Sequence, residues 1–512
     1  MLRSPSRKPL PFSKLGVLVA VAGAFCALLS PARGDSFSDA FGALFNQTQP
    51  SAGNHHPPPP VSADSLHRWN LIAINASGLD HTPVAPGEDR IFGQQIGPGR
   101  SARAMAIVHI AMADAVSAIR GGFRSYTGVR SHAHVISLEA AISQAAHDTL
   151  VAMYSSQTAA FDSLLAADLL RINASPLAKA KGRELGRRTA AAILAMRTND
   201  GAQTPEPRVG IDHMTSNLAG HWRQDPISLI PLALGGHWGE CTPFVLQATN
   251  QFRTPAPPDM TSDAYTTAFN EVKNLGGDGI NTTTQRTPEQ TFVGIYWAYD
   301  GTPSLCAPPR LYNQIAVQIA DQRHLNTVQL ARLLALVNVA MADTGMATWE
   351  SKYYWDVWRP IGGLREADPG TGPTGSGDGN PATLGDMNFM PLGAPASNLT
   401  GPNFTPPFPA YPSGHAAFGG ALFQVMRRFF GTDHVGFTFV SDEFNGVTRD
   451  NGGNIRPYLP RHFSRLSQAE EENGQSRIYL GIHWSFDKTE GIKQGKRIGN
   501  YVFDRAFRTG GH

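Results

Sequence analysis

The sequence predicts a mainly α protein: two helical bundles packed together, with long Gly/Pro-rich loops and little strand. Apolar residues recur three and four apart over most of the chain, period-two alternation is scarce, and no fixed-period repeat is present. At 512 residues, 41% hydrophobic and 16% charged, the chain can bury a sizeable core. Glycine (52) and proline (38) are plentiful, which puts long ordered loops between helices.

Residues 1–34 read as a signal peptide. Arg3, Arg7, Lys8 and Lys14 precede an apolar run from Leu15 to Leu29, and Ala32-Arg33-Gly34 is a small-x-small cleavage site. The run is shorter than the ~20 residues of a membrane span. A secreted or periplasmic protein with no membrane association after cleavage is therefore expected. Cleavage would remove five basic and no acidic residues, leaving 38 basic against 41 acidic. That balance gives no reason to expect nucleic acid or an anionic membrane as partner.

Residues 35–63, ending in NHHPPPPVSA, read as a flexible lead-in, with His55 and His56 on a solvated tail. Residues 64–300 form the N-terminal helical bundle region, with helical periodicity at 65–77, 102–119, 137–156, 158–172 and 177–197. His109 lies inside one such apolar face and reads as a packed core histidine. Residues 301–512 form the C-terminal bundle, with helices at 308–322, at 328–358 and from about Ser413. The stretch 366–412, rich in Gly, Pro, Asn and Thr, reads as a long functional loop. Cys241 and Cys306 remain after signal removal and could pair in an oxidising compartment.

Three segments carry chemistry. In KYYWDVWRP, Lys352 and Arg359 stand seven apart, so a continuous helix projects both from one face before Pro360 ends it. Two cations among aromatic residues call for an anion. In FPAYPSGHAAFGG, Ser413 and Gly414 open a helix whose free N–H groups favour an oxyanion, and His415 follows in the first turn. The positive field there favours a neutral imidazole able to move protons. In SRIYLGIHWSFDKTEG, Arg477 is a further cation. His483 and Asp487, four apart on one helical face, form a carboxylate–imidazole pair. Arg477 and His483, six apart, cannot share one face of a regular helix, so a break is expected near Gly481.

Together these segments resemble the signature of vanadium-dependent haloperoxidases and the type-2 phosphatidic acid phosphatase superfamily. Its pattern is Lys, six residues, Arg-Pro; then Pro-Ser-Gly-His; then Ser-Arg, five residues, His, three residues, Asp. Lys352, Arg359-Pro360, Pro412 to His415, Ser476-Arg477, His483 and Asp487 fill every fixed position. Sixty residues separate His415 from Ser476, slightly more than is usual in the phosphatases. The resemblance implies a vanadate cofactor, with His483 on the metal and Lys352, Arg359, Ser413, Gly414 and Arg477 neutralising its oxygens. His415 and Lys352 would be the catalytic groups, and Asp487 would orient His483.

Within that superfamily, three features favour the chloroperoxidase-like branch. Trp349 and Phe408 stand where that branch lines its halide pocket. IYWAYDGTP carries Asp300 where the branch has a carboxylate that pairs with the arginine matching Arg477. The chain is also about twice as long as the soluble phosphatases. The implied reactants are hydrogen peroxide, chloride and/or bromide, and a small organic acceptor. Two alternatives remain open: an acid phosphatase with a phosphohistidine intermediate, and a non-catalytic oxyanion-binding protein.

Overall fold

The computed structural model describes residues 64–301, 304–394, 405–449 and 455–510. The signal and lead-in readings for 1–34 and 35–63 lie outside them. The architecture is mainly α, as the sequence predicts. The first group of helices is α1 (Ser65–Asp80), α2 (Gly97–Arg120), α3 (Leu138–Met153), α4 (Thr158–Arg171) and α5 (Pro176–Met196). Next come α6 (Asp263–Leu275), α7 (Pro288–Tyr296), α8 (Pro308–Gln322) and α9 (Thr327–Trp355). The last are α10 (Pro360–Arg365), α11 (Gly414–Phe430), α12 (Leu466–Tyr479) and α13 (Ser485–Arg505). The described sheet is one antiparallel pair, β1 (Phe437–Phe439) and β2 (Arg461–Phe463), with Phe437 opposite Phe463.

Local chemistry sets the helix starts. Asp64 caps α1 by accepting from Leu66 and His67 N–H, and Asn326 with Gln329 forms a capping box on α9. α2 and α9 are apolar and long enough to cross a membrane, but their most apolar windows are 83% and 94% buried inside the protein. They are core helices, packed along each other. α2 also packs on α3 and α5, and α9 on α11 and α13. The largest apolar cluster is continuous across residue 300, running from Leu66 to Phe507.

Two corrections concern the helices. α9 ends at Trp355, where Asp356 adopts a left-handed conformation (φ 51°). Pro360 is the first residue of α10 and Arg359 is its N-cap, so this proline starts a helix instead of ending one. Lys352 and Arg359 therefore do not share a helical face. Likewise His483 precedes α13 and Asp487 lies in its first turn, so these two are not on one helix face. The break near Gly481 is present: α12 stops at Tyr479, and Gly481 has φ +72°.

A third correction concerns the cysteines. Cys241 and Cys306 are both buried and unpaired. Cys306 Sγ lies 2.9 Å from Ser77 Oγ, whereas the Cys241 backbone lies beside Gly201, in a different neighbourhood.

Candidate active site

The site forms where α11 and α13 begin. These helices cross closely because Gly491 and Gly495 recur every fourth residue on the face of α13 that meets α11. A Cβ at Gly495 would stand 2.0 Å from the Ala417 carbonyl oxygen. The contact ties the two N-termini together, with Ser413 N–H donating to the Asp487 carbonyl at 3.0 Å. Ser413 caps α11 through Ala416 N–H at 3.4 Å. His415 sits in the first turn, and its carbonyl accepts from Tyr312 Oη and Asn473 Nδ2.

The structure brings all the sequence-predicted residues to this one place. Lys352, at the end of α9, is fully buried, and its Nζ donates to the carbonyls of Pro409 (2.8 Å) and Ala410 (2.9 Å). Burial and the neighbouring Arg359 charge push its pKa well below the usual lysine value. Arg359 donates through Nε to Phe408 O (2.9 Å) and through Nη1 to Ile482 O (2.9 Å). Nη1 also lies 3.0 Å from His483 Nε2. Burial pulls Arg359 down to about 9, which leaves it charged at neutral pH. Arg477 pairs with Asp300 at 2.5 Å, and burial raises the Asp300 carboxyl against that attraction.

Hydrogen-bond partners assign both histidine tautomers. His483 Nδ1 lies 2.7 Å from Asp487 Oδ2, and Nε2 faces Arg359, which can only donate. The proton is thus on Nδ1 and the lone pair on Nε2. His415 Nε2 lies 2.7 Å from the Ala298 carbonyl, which can only accept, so its lone pair is on Nδ1. Burial first, then the nearby arginine charges, hold both imidazoles well below the usual histidine pKa. Burial raises Asp487 to about 7.

The cations are under-satisfied. Arg359 Nη2, Arg477 Nε and Arg477 Nη1 are buried without a hydrogen-bond partner. Such groups are costly to leave unpaired. Among the described residues, no group of three or more His, Cys, Asp or Glu could hold a bare metal cation. The donor set fits an oxyanion instead.

A cavity of about 770 Å³, counted to the open solvent at its mouth, leads to these groups. Asp300, Gly414, His415, Arg477 and His483 line its polar side; Leu234, Trp349, Phe408 and Phe418 line an apolar side. Lys352, Arg359 and Ser413 stand outside the lining. Trp349 and Phe408 have ring centroids 4.9 Å apart, with Lys352 Nζ 5.1 Å and Arg359 Cζ 4.8 Å from the Phe408 centroid.

Sequence reasoning missed the carbonyls that aim these groups: Ala298, Phe408, Pro409, Ala410 and Ile482. Loop carbonyls leave no mark in residue type. It also missed Gly491 and Gly495, although their four-residue spacing is visible in GIKQGKRIG.

Fold and site define a mainly α-helical protein with a cavity that leads to a buried cluster of cations suited to an oxyanion. Residues 332–510 match the family described as the VCPO second helical-bundle domain. The chain is 38% identical over 289 residues to the vanadium chloroperoxidase of Curvularia inaequalis, covering 48% of this chain. The match spans 46% of that relative, about half its length. The fold is that of bacterial enzymes of known structure. A vanadium-dependent iodoperoxidase superposes with TM-score 0.66 at 20% identity, over 88% of this chain and 98% of its own. The holo form of a vanadium-dependent chloroperoxidase gives TM-score 0.61 at 15% identity, over 85% of this chain and 96% of its own.

Proposed function

We propose that this protein is a vanadate-dependent haloperoxidase. It oxidises chloride and/or bromide with hydrogen peroxide to hypohalous acid, which halogenates a small organic acceptor. The observation that carries this reading is the set of buried guanidinium N–H groups left without partners beside the His483 Nε2 lone pair. Those groups, with Lys352, Ser413 and the Gly414 N–H, would hold the oxygens of vanadate, and His483 its metal. Bound there, pentavalent vanadium supplies Lewis-acid activation of peroxide without changing its own oxidation state.

The residues supply the rest. His415 Nδ1 takes a proton from the incoming peroxide and can return it. Lys352 and the arginines stabilise the charge that shifts to oxygen as the O–O bond breaks. Halide, held beside Trp349 and Phe408, gives an electron pair to one peroxide oxygen. In balance, H₂O₂ + X⁻ + H⁺ yields HOX + H₂O. Asp487 keeps the His483 lone pair directed into the site.

The test is halogenation of monochlorodimedone by orthovanadate-loaded protein with peroxide and bromide, across about pH 4 to 8. Turnover that requires vanadate supports the reading; its absence throughout counts against it. The same His483 lone pair would serve a phosphatase, and hydrolysis of p-nitrophenyl phosphate without halogenation would favour that reading. Secretion or periplasmic export is part of the proposal, supported by the basic, apolar and small-residue pattern of 1–34.

A further inference from the structure

Trp349 is held from outside the cavity. Its indole N–H donates to the Leu234 carbonyl at 3.0 Å, and that oxygen also accepts from Tyr353 Oη at 2.9 Å. Leu234 N–H donates to Pro407 O at 2.9 Å, next to Phe408. The backbone of one residue, through its N–H on one side and its carbonyl on the other, thus ties both aromatic walls of the cavity together. Gly235 follows with φ +76°, its Cα so close to the indole that a Cβ would stand 2.3 Å from Trp349. Its N–H donates to Glu206 Oε2, and the other Glu206 oxygen pairs with Arg100. The Glu206 side chain is 8% exposed and does not line the active-site cavity.

We propose that Glu206 is a positioning residue: by holding Gly235 N–H it fixes the Leu234 carbonyl under Trp349, and so sets which halide the site accepts. This rests on the haloperoxidase reading above. The 234–235 peptide has its oxygen on the indole and the next N–H on Glu206, so freeing one end lets the other rotate. A loosened indole opens the wall facing Phe408. Chloride, the smaller and harder anion to oxidise, depends on close enclosure more than bromide does.

The experiment compares Glu206→Ala and Glu206→Gln in the full chain. The amide of Gln can still accept from Gly235. In Glu206→Ala, chloride KM should rise about tenfold while kcat with bromide stays within about twofold, and Glu206→Gln should recover much of the loss. A second readout needs no turnover: Trp349 emission, taken as the difference from Trp349→Phe, should shift to the red and be quenched more by iodide in vanadate-free Glu206→Ala. Arg100→Met, which frees Glu206 from its other partner, should move both readouts in the same direction and serves if Glu206→Ala does not fold. Unchanged chloride KM and unchanged emission in a folded variant would overturn the proposal, as would an equal loss in every kinetic constant. A wild type inactive with every halide, beside a variant whose emission does shift, would overturn the haloperoxidase reading and leave the anchoring itself standing.

Discussion

Two helix crossings in this molecule share one packing device and differ in charge. At the α3–α5 crossing, Gly182 and Gly186 press against the carbonyls of Ser137 and Ala141; at α11–α13, Gly491 and Gly495 press against those of Ser413 and Ala417. Ser137 and Ser413 each cap the first helix of their pair. In the helices that surround the first crossing and at their far ends, buried charge is paired: Arg68 with Asp168 at 2.6 Å, and Arg103 and Arg197 with Asp200 at 2.7 and 2.8 Å. Around the second, Arg359 forms no ion pair among the described residues, and two nitrogens of Arg477 have no partner. The packing brings helix N-termini together in both places. The excess of buried cations makes only the second one a site.

The largest test of this contrast is a matched pair of substitutions. Arg68→Met should destabilise the protein by about 3–5 kcal/mol, because Asp168, 1% exposed, loses its close cation. Arg359→Met should cost less than about 2 kcal/mol without vanadate, because a buried charge leaves along with its bonds. Orthovanadate at about 1,000 times its Kd should stabilise the wild type by about 4 kcal/mol and Arg359→Met by almost nothing. Urea unfolding with and without vanadate measures all of these. Equal losses in the two variants would erase the contrast.

Next in size is a pair of buried histidines. His109, on α2, has both ring nitrogens occupied, one donating to Met105 O and the other facing the side-chain amide of Asn70 on α1, and burial holds its pKa at about 4. His415 has a carbonyl on Nε2 only. His415→Ala should lower kcat by about 10²–10⁴-fold with vanadate retained. His109→Gln should leave kcat unchanged and lower only stability. Both histidines stay neutral in the fold below the pH at which the unfolded chain takes up protons. Their stabilising effect is therefore present above the ordinary value of 6.5 and lost as pH falls below it.

Asp487 has the opposite sign. Its folded pKa, about 7, lies above the ordinary 3.8, so its share of stability is present at low pH and is lost as pH rises through 7. Asp487→Asn should flatten that slope in the vanadate-free protein. It should also weaken vanadate binding by about 10–100-fold, since the lone pair on His483 Nε2 depends on the Asp487 bond to Nδ1. Isothermal titration at several pH values reads both effects.

How much of this was legible beforehand follows from what residue type can encode. The helices from Ser65 to Met196 declared themselves through period, and Lys352, Arg359, His415, Arg477 and His483 through spacing. The course of the chain between Lys352 and Arg359 did not: a left-handed Asp356 and a proline at the first position of α10 defeated the assumption of one continuous helix. Proline both ends and begins helices, so residue type alone does not say which Pro360 does. The Glu206–Gly235 link was invisible because the carboxylate meets a backbone N–H of a distant loop, and a backbone N–H leaves no mark in residue type.

The smallest effect concerns the aromatic wall. Phe408 has Lys352 Nζ 5.1 Å and Arg359 Cζ 4.8 Å from its ring, so it shields the cations from the cavity while presenting no donor of its own. Phe408→His places an imidazole there, adding a polar group able to hold water and to compete with halide for the cation charge. Chloride binds water more strongly than bromide and is harder to oxidise, so a wetter wall should penalise chloride more. The ratio of kcat/KM for chloride to that for bromide should fall by about 10-fold, a difference near 1.4 kcal/mol, with vanadate affinity kept. An unchanged ratio would leave Phe408 as wall and shield only, and would move the search for halide discrimination to Trp349 and the segment behind it.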